Sequence, residues 1–370
     1  MSEQVEFILD GETVYAEKGQ SIWEVANGQG LKIPHLCHKP KPGYRPDGNC
    51  RACMVEIEGE RTLAASCIRE PQPGMVVKSA TPRAENARKM VVEMLVTDQP
   101  EREISHDKSS HFWDMVDLND VQESRLPRLE AERIPILDDS HVAMSVNLDA
   151  CIQCGLCVRA CREVQVNDVI GMSGRGQNSY PTFDMADPMG SSTCVGCGEC
   201  VQACPTGALM PSSVVDRTQV GDSKDYDREV KSVCPFCGVG CQVSLKVKDN
   251  KIKFVEGING PANEGRLCVK GRFGFDYIHH QHRLTKPLIR RDDAPKKGLN
   301  VDPSNWQEFF REATWDEALD FAADGFKGLK EDVGGTSVAG FGSAKCTNEE
   351  AYLFQKFIRQ GFGHNNVDHC

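Results

Sequence analysis

The chain has 370 residues, with 43 Lys and Arg against 54 Asp and Glu for a net charge of −11, 39% apolar residues, 26% charged residues and 18 cysteines. This length allows two to four domains, while a mean hydropathy of −0.43 and the lack of any run of about 18 apolar residues rule out a membrane-spanning helix. An acidic balance with pI ≈ 5.5 and no basic stripe disfavours nucleic acid and anionic membrane as partners. The opening MSEQVEFILDGE has no basic segment, apolar core or twin arginine, which points to the cytoplasm. In that reducing compartment the cysteines read as thiolate metal ligands rather than as a disulfide framework.

In chain order, VEFIL and TVYAE flank Asp10-Gly11 as strands about a tight turn. Ser21 and Glu24 open a short helix as a capping box, and MVEIEGERTLAA is a second hairpin around Gly59. Among them lie Cys37, Cys50, Cys53 and Cys67, with gaps of 12, 2 and 13 residues. A CxxC core in a glycine-rich loop lets two thiolates reach one iron while the outer pair reaches from either side, which suits a [2Fe-2S] centre. Residues 1–80 are expected to form a β-grasp ferredoxin, although the spacing is not the plant-type run of four then two residues.

Residues 81–142 contain no cysteine and form a helical bridge. TPRAENARKMVVEMLV begins with Thr81 as cap and Pro82 in the first turn. His106 and His111, in a polar stretch, are expected to be solvated or capping groups.

Residues 143–215 carry CIQCGLCVRAC (Cys151, Cys154, Cys157, Cys161) and CVGCGECVQACP (Cys194, Cys197, Cys200, Cys204). Each is the run of a two-cluster bacterial ferredoxin, in which three thiolates bind one cubane and the fourth crosses to the other. Cys151, Cys154, Cys157 and Cys204 are therefore assigned to one [4Fe-4S] cluster, and Cys194, Cys197, Cys200 and Cys161 to its neighbour. The two runs are an internal repeat. Zinc knuckles have no use for a third CxxC followed by a crossing cysteine.

VVDRTQVGDSKDYDREVK reads as a charged linker. Residues 229–285 then hold Cys234, Cys237, Cys241 and Cys268, with gaps of 2, 3 and 26 residues and a hairpin turning at Asp249-Asn250. Three thiolates on a tight loop and a fourth after a hairpin suggest a third [4Fe-4S] cluster, with a zinc ribbon as the rival. Four oxidised clusters would take the net charge from −11 to roughly −19, which calls for backbone N–H donors and nearby Lys or Arg.

Residues 286–370 open an α/β domain. Thr314 and Glu317 read as a capping box, followed by a helix whose Ala318, Leu319, Ala322, Phe326 and Leu329 form a stripe suited to burial. TSVAGFGSAKCTNEEAYLFQKFIRQGFG reads as strand, glycine-rich turn and helix, with Thr347 and Glu350 capping and a turn able to meet cofactor phosphates. Cys346 is expected to be a small buried residue in that turn. No GxGxxG fingerprint occurs, so NAD is expected to bind elsewhere.

The order of these modules, and above all the text from CPFCGVGC to RLCVKGRFGFDY, resembles the α subunit of cytoplasmic NAD-dependent molybdenum or tungsten formate dehydrogenases. The resemblance implies an α+β string of small iron-sulfur domains leading into an α/β pterin-binding domain. It implies that formate is oxidised to CO2 at Mo or W held by two molybdopterin guanine dinucleotides. Electrons would leave through one [2Fe-2S] and three [4Fe-4S] clusters to a β subunit with FMN and the NAD site, and a γ subunit with further clusters. Lys270, in CVKGR, would lie between the pterin and the nearest cubane and assist transfer.

In that family a metal-ligating cysteine or selenocysteine and most of the pterin domain follow the string NNVDHC. The chain is accordingly read as the N-terminal portion of a longer subunit, with Cys370 short of the metal ligand. The bridge departs from complex I subunits and many hydrogenases, which carry a His and three Cys there for a further cluster; MLVTDQPEREISHDKSSHFWDM lacks the thiolates, and a cluster-free bridge is expected. A [FeFe] hydrogenase should show its own cysteine motifs where CPFCGVGC stands, and a complex I subunit has one cubane where this chain has two. An electron-transfer or assembly module without catalysis describes the 370 residues taken alone. Iron and sulfide quantitation with EPR on anaerobically purified protein should give about 14 Fe, with one rhombic and three cubane signals; a value near 18 Fe would reveal a fifth cluster in the bridge.

Overall fold

Asp10 and Gly11 both take positive φ, 53° and 91°, as a two-residue turn matching the twist of its flanking strands requires. They join β1 (Gln4–Leu9) to β2 (Glu12–Glu17) antiparallel, with Leu9 opposite Glu12. In this computed structural model, residues 4–121, 123–127, 136–295 and 300–369 are described. They fall into two units, Met1–Val233 with Cys241–Phe273, and Cys234–Gly240 with Gly274–Cys370.

In the first unit, α1 (Ile22–Gly28) starts at the complete Ser21/Glu24 capping box and buries Ile22, Trp23, Val25 and Ala26. β3 (Met54–Ile57) pairs with β4 (Ala64–Ala65) as the second hairpin. The short β5 (Val76–Lys78), not anticipated from the sequence, runs parallel to β1 and antiparallel to β3. It welds the two hairpins into one sheet of order β2-β1-β5-β3-β4, whose inner face packs Phe7, Leu9, Val55 and Val77 on α1.

The bridge consists of α2 (Pro82–Thr97), capped by Thr81, and α3 (His111–Leu118); residues 122 and 128–135 lie outside the described residues. Its histidines are neither solvated nor capping through their rings. His106 is fully buried, with Nδ1 2.7 Å from the Gly207 carbonyl and Nε2 3.1 Å from Ser145 Oγ. His111 Nε2 lies 2.9 Å from the His35 carbonyl. Desolvation pushes both imidazoles below their ordinary pKa, so each serves as a neutral polar tie beside the bridge's apolar cluster of Val92, Phe112, Trp113 and Val116.

In the ferredoxin region, β6 (Leu137–Asp138) pairs with β7 (Met144–Asn147). The first cysteine run leads into α4 (Leu156–Arg159), followed by the hairpin of β8 (Ile170–Ser173) and β9 (Tyr180–Phe183). The second run leads into α5 (Glu199–Ala203), and β10 (Leu209–Pro211) returns to pair with β7.

The stretch read as a linker is docked: the Gly221 carbonyl accepts from Lys108 N–H at 3.2 Å and Asp107 accepts from Ser223 N–H at 3.0 Å. Its end enters β11 (Arg228–Val233), which adds to the hairpin of β12 (Gln242–Lys248) and β13 (Lys251–Gly257). α6 (Val269–Phe273) follows Cys268.

In the second unit, β14 (Leu288–Arg290) pairs with β15 (Phe310–Glu312) ahead of α7 (Trp315–Val333). Only half of the expected capping box forms, because the Glu317 carboxylate pairs with Arg311 at 2.6 Å while Thr314 Oγ1 still accepts the Glu317 N–H. Next come β16 (Gly340–Gly342), α8 (Asn348–Phe362) with its complete Thr347/Glu350 box, and β17 (Val367–His369), parallel to β16. The unit thus contains a βαβ turn. The α7 stripe expected to be buried is open: Leu319 is 60% and Leu329 49% exposed. Phe326 meets Phe357 and Phe362 of α8. Cys346 is likewise exposed rather than buried. Among the described residues no helix is long and apolar enough to cross a membrane.

His106→Leu would leave the buried Gly207 carbonyl without its partner and cost about 1–3 kcal/mol in chemical denaturation. Because the folded imidazole is held neutral below the ordinary value of 6.5, the unfolded state binds the extra proton, and stability falls as pH drops below about 6.5. That fall should be shallower in the variant.

Candidate metal centres

The first quartet is gathered in the loop between α1 and β3 and at the end of the β3/β4 hairpin. Cys37, Cys53 and Cys67 are buried and Cys50 is half-buried. The Cys37 N–H points to Cys50 Sγ at 3.4 Å. Hydrogen bonds from Cys50 and Cys67 hold the Cys37 thiol far below its ordinary pKa, and Cys67 draws Cys53 down to about 7. Cys50 and Cys67, bonded to the Cys37 sulfur, are pushed up. Four sulfurs in mutual reach, two of them favouring the thiolate in a dry pocket, fit the donor set of a four-cysteine iron-sulfur centre.

The second and third quartets interleave. Cys151, Cys154, Cys157 and Cys204 line one hollow, closed by Leu148, Ile152 and Leu209. Cys161 stands instead among Cys194, Cys197 and Cys200, each of which feels its charge. This crossing of Cys161 and Cys204 is the arrangement anticipated from the two runs.

The repeat extends to the backbone. Gln153 and Gly196, at matching positions and both with positive φ of 56° and 66°, donate N–H to Cys151 and Cys194 Sγ at 3.4 Å. Cys161 sits on a π-helical turn, Ala160–Val164, and accepts from Val169 N–H at 3.3 Å. Burial pushes the Cys154, Cys157 and Cys200 thiols up, so a metal binding there must displace their protons. Among the described residues no three His, Cys, Asp or Glu side chains converge on a position for a single metal ion. The sulfurs of the second site stand around a hollow, and the residues fit clusters held by spaced thiolates.

Buried charge surrounds these loops. Arg272 of α6 and Glu199 of α5 pair at 3.0 Å, with side chains 3% and 1% exposed. Arg272 Nε donates to the Cys197 carbonyl at 2.7 Å and Nη1 to Gln202 Oε1 at 2.6 Å. Tyr44 OH donates to Glu199 at 2.9 Å, and Lys39 Nζ to the Gln202 carbonyl at 2.7 Å. One polar network thus joins the Cys37–Cys53 loop, α5 and α6.

Gly198 is indispensable to the network's geometry, since a Cβ there would stand 2.2 Å from Arg272 Cδ. Buried Arg88 of α2 donates to the carbonyls of Met54 and Ser79 at 2.9 and 2.6 Å beside the first quartet. None of these residues was singled out from the sequence, where a Glu within CVGCGEC or an Arg within CVKGR is indistinguishable from a surface charge.

The fourth quartet has two residues in each unit. Cys241, half-buried at the start of β12, and Cys268, exposed ahead of α6, belong to the first; Cys234, buried, and Cys237, exposed, belong to the second. Lys270 is an exposed residue of α6. Cys370 lies outside the described residues.

Comparison with known proteins finds four family models in order along the chain. They are a 2Fe-2S iron-sulfur cluster binding domain over residues 2–82, a 4Fe-4S dicluster domain over 150–208, a molybdopterin oxidoreductase Fe4S4 domain over 227–280, and molybdopterin oxidoreductase over 283–370. The chain is similar to a protein of Staphylococcus haemolyticus named "Putative formate dehydrogenase", at 30% identity over 405 residues that take in 100% of this chain and 39% of that protein. A Bacillus subtilis protein of the same description is 30% identical over 401 residues, 98% of this chain and 39% of its own length. The chain therefore spans about two fifths of the length of these curated relatives. Among solved structures, an NAD+-reducing [NiFe]-hydrogenase in its H2-reduced state matches with a TM-score of 0.50 and 30% identity, over 56% of this chain and 87% of that one. The matched domains make the chain a string of iron-sulfur modules running into a molybdopterin domain.

Removing either partner of the Arg272–Glu199 pair leaves a charge buried, so Glu199→Gln and Arg272→Met should each cost about 3–5 kcal/mol. In a double-mutant cycle by chemical denaturation, the combined variant should lose much less than the sum of the two.

Proposed function

We propose, from the molybdopterin oxidoreductase models matched over residues 227–280 and 283–370, that the chain belongs to the molybdopterin oxidoreductase family and is the electron-transfer portion of a formate dehydrogenase that delivers electrons to NAD+ through partner subunits. The observation that carries the reading is the interleaving of Cys151, Cys154, Cys157 and Cys204 with Cys161, Cys194, Cys197 and Cys200, beside the buried quartet of Cys37, Cys50, Cys53 and Cys67. A soluble fold has little reason to gather so many thiols with N–H donors aimed at sulfur except to hold redox clusters.

The first quartet would hold a [2Fe-2S] cluster, and the interleaved pair of quartets two [4Fe-4S] clusters. Cys234, Cys237, Cys241 and Cys268 would hold a third. When bound, the clusters supply one-electron carriers, and Mo or W on two molybdopterin guanine dinucleotides supplies the two-electron oxidation of formate to CO2. The protein's own part is to exclude water, to aim backbone donors at sulfur, and to place Arg159, Arg272 and Lys39 where anionic centres need counter-charge.

Lys270 is assigned to the passage between the pterin and the fourth quartet, on its place in CVKGR two residues after Cys268. The names of the curated relatives support formate as substrate. The match to an NAD+-reducing hydrogenase supports NAD+ as the final acceptor, and the resemblance to formate dehydrogenases assigns FMN, the NAD site and further clusters to β and γ partners. Cysteines kept free for ligation suit a reducing compartment, and the assembly is assigned to the cytoplasm on that ground.

In the full-length subunit loaded with Mo or W under anaerobic conditions, formate should bring up the EPR signals of reduced clusters and dihydrogen should not. Dihydrogen-driven signals, or none with formate, would refute the assignment. Lys270→Met should slow formate-driven reduction about tenfold, about 1.4 kcal/mol, while reduction by dithionite stays as in the wild type.

A further inference from the structure

Arg159, the last residue of α4, follows Cys157 by two positions and precedes Cys161 by two, yet its side chain leaves its own module. It is 3% exposed. Its Nη2 group donates to the carbonyl of Cys37 at 2.8 Å and to that of Cys154 at 3.3 Å. One nitrogen with two hydrogens therefore spans a ligand residue of the first quartet and a ligand residue of the second. Nη1 donates to the Arg45 carbonyl at 3.2 Å and pairs with Asp47 at 2.6 Å. Asp47, 25% exposed, is the carboxylate in contact with this guanidinium, and it faces water while the forked end faces the sulfur-bearing loops.

Among the described residues the first quartet's loop reaches the Cys161, Cys194, Cys197 and Cys200 set only through the relay of Tyr44, Glu199 and Arg272 to the Cys197 carbonyl, not through one side chain bonded to a ligand residue of each.

Resting on the iron-sulfur reading above, we propose that Arg159 is a positioning residue that fixes the Cys37 ligand set against the Cys154 ligand set and lends both centres one shared positive charge. Two consequences follow from the chemistry. A desolvated cation beside a centre that gains negative charge on reduction favours the reduced form, so Arg159 raises the potentials of these two centres together. Its planar fork also holds the carbonyls at a fixed separation, which the single rotatable ammonium of lysine cannot reproduce. The [2Fe-2S] centre and the cubane of Cys151, Cys154, Cys157 and Cys204 thereby form a pair set apart from the other cubanes.

The test is an EPR-monitored redox titration of the full-length subunit, loaded anaerobically, with iron analysis of every sample. Arg159→Gln keeps a donor amide but removes the charge. It should lower the reduced-to-oxidised ratio of the rhombic centre and of one cubane about tenfold at fixed ambient potential, about 59 mV for a one-electron couple. The remaining cubane signals should stay in place. Asp47→Asn removes the offsetting carboxylate at the water-facing end and should move the same two signals severalfold the other way.

Unmoved potentials in Arg159→Gln at full iron content, or equal movement of all centres, would overturn the proposal. If Arg159→Gln loses iron, Asp47→Asn decides alone, and an unmoved or downward potential overturns it. A wild-type subunit without iron-sulfur signals would refute the underlying reading, whereas normal signals with unmoved potentials refute only the role of Arg159.

Discussion

Cysteine sulfur lies in a dry interior, where a thiolate would survive only if donors and cations met it. That requirement shapes the first unit alongside its three buried apolar clusters. Cys37, Cys53 and Cys67 lie deep behind the β-grasp sheet, and Cys154, Cys157, Cys161 and Cys200 sit in the core of the ferredoxin region. Around them the chain adopts conformations that ordinary packing would not select. Non-glycine residues Arg51 and Gln153 take positive φ, and a π-helical turn carries Cys161. Arg88, Arg159 and Arg272 are also drawn inside. Gln153 aims its N–H at Cys151 Sγ, and the three arginines donate to carbonyls in or beside the sulfur-bearing loops.

The same constraint explains how small modules become one unit. A β-grasp sheet, a pair of short cysteine-run helices and a three-stranded sheet have little apolar surface with which to hold one another. Polar ties carry much of the joining. Tyr44, Glu199 and Arg272 connect three segments far apart in the chain, and His106 fastens the bridge to the ferredoxin region through Gly207 and Ser145. The bridge keeps its place without any thiolate of its own through these buried neutral imidazoles and through Val92, Phe112, Trp113 and Val116, which pack with Leu36 and Ala52. In the second unit the balance differs: helix caps and the parallel β16/β17 pair define a βαβ turn, while the apolar face of α7 stays largely open.

Local chemistry was readable from the chain alone wherever spacing dictates geometry. The Asp10-Gly11 turn, the caps at Ser21, Thr81 and Thr347, the β12/β13 hairpin and the grouping of cysteines by short gaps all depend on residues within a few positions of one another, so composition and spacing are sufficient. Even the exchange of Cys161 and Cys204 was foreseeable, since a repeated run with a distant fourth cysteine has few other ways to complete two sites.

Long-range juxtapositions escaped that reading, because a charge or a short strand carries no mark of its partner. VVK became β5 only through pairing with two strands that flank it in space. His106 and His111 looked like polar surface until burial left their rings facing carbonyls. The linker docked on Asp107 and Lys108, and the stripe on α7 had helical period without a surface to cover it. Thiol identity and spacing thus determined what chemistry the chain supports. Which loops are bound together, and by which arginines, was decided only by tertiary packing, since desolvation distinguishes a buried guanidinium from an exposed one and desolvation exists only once the chain has folded.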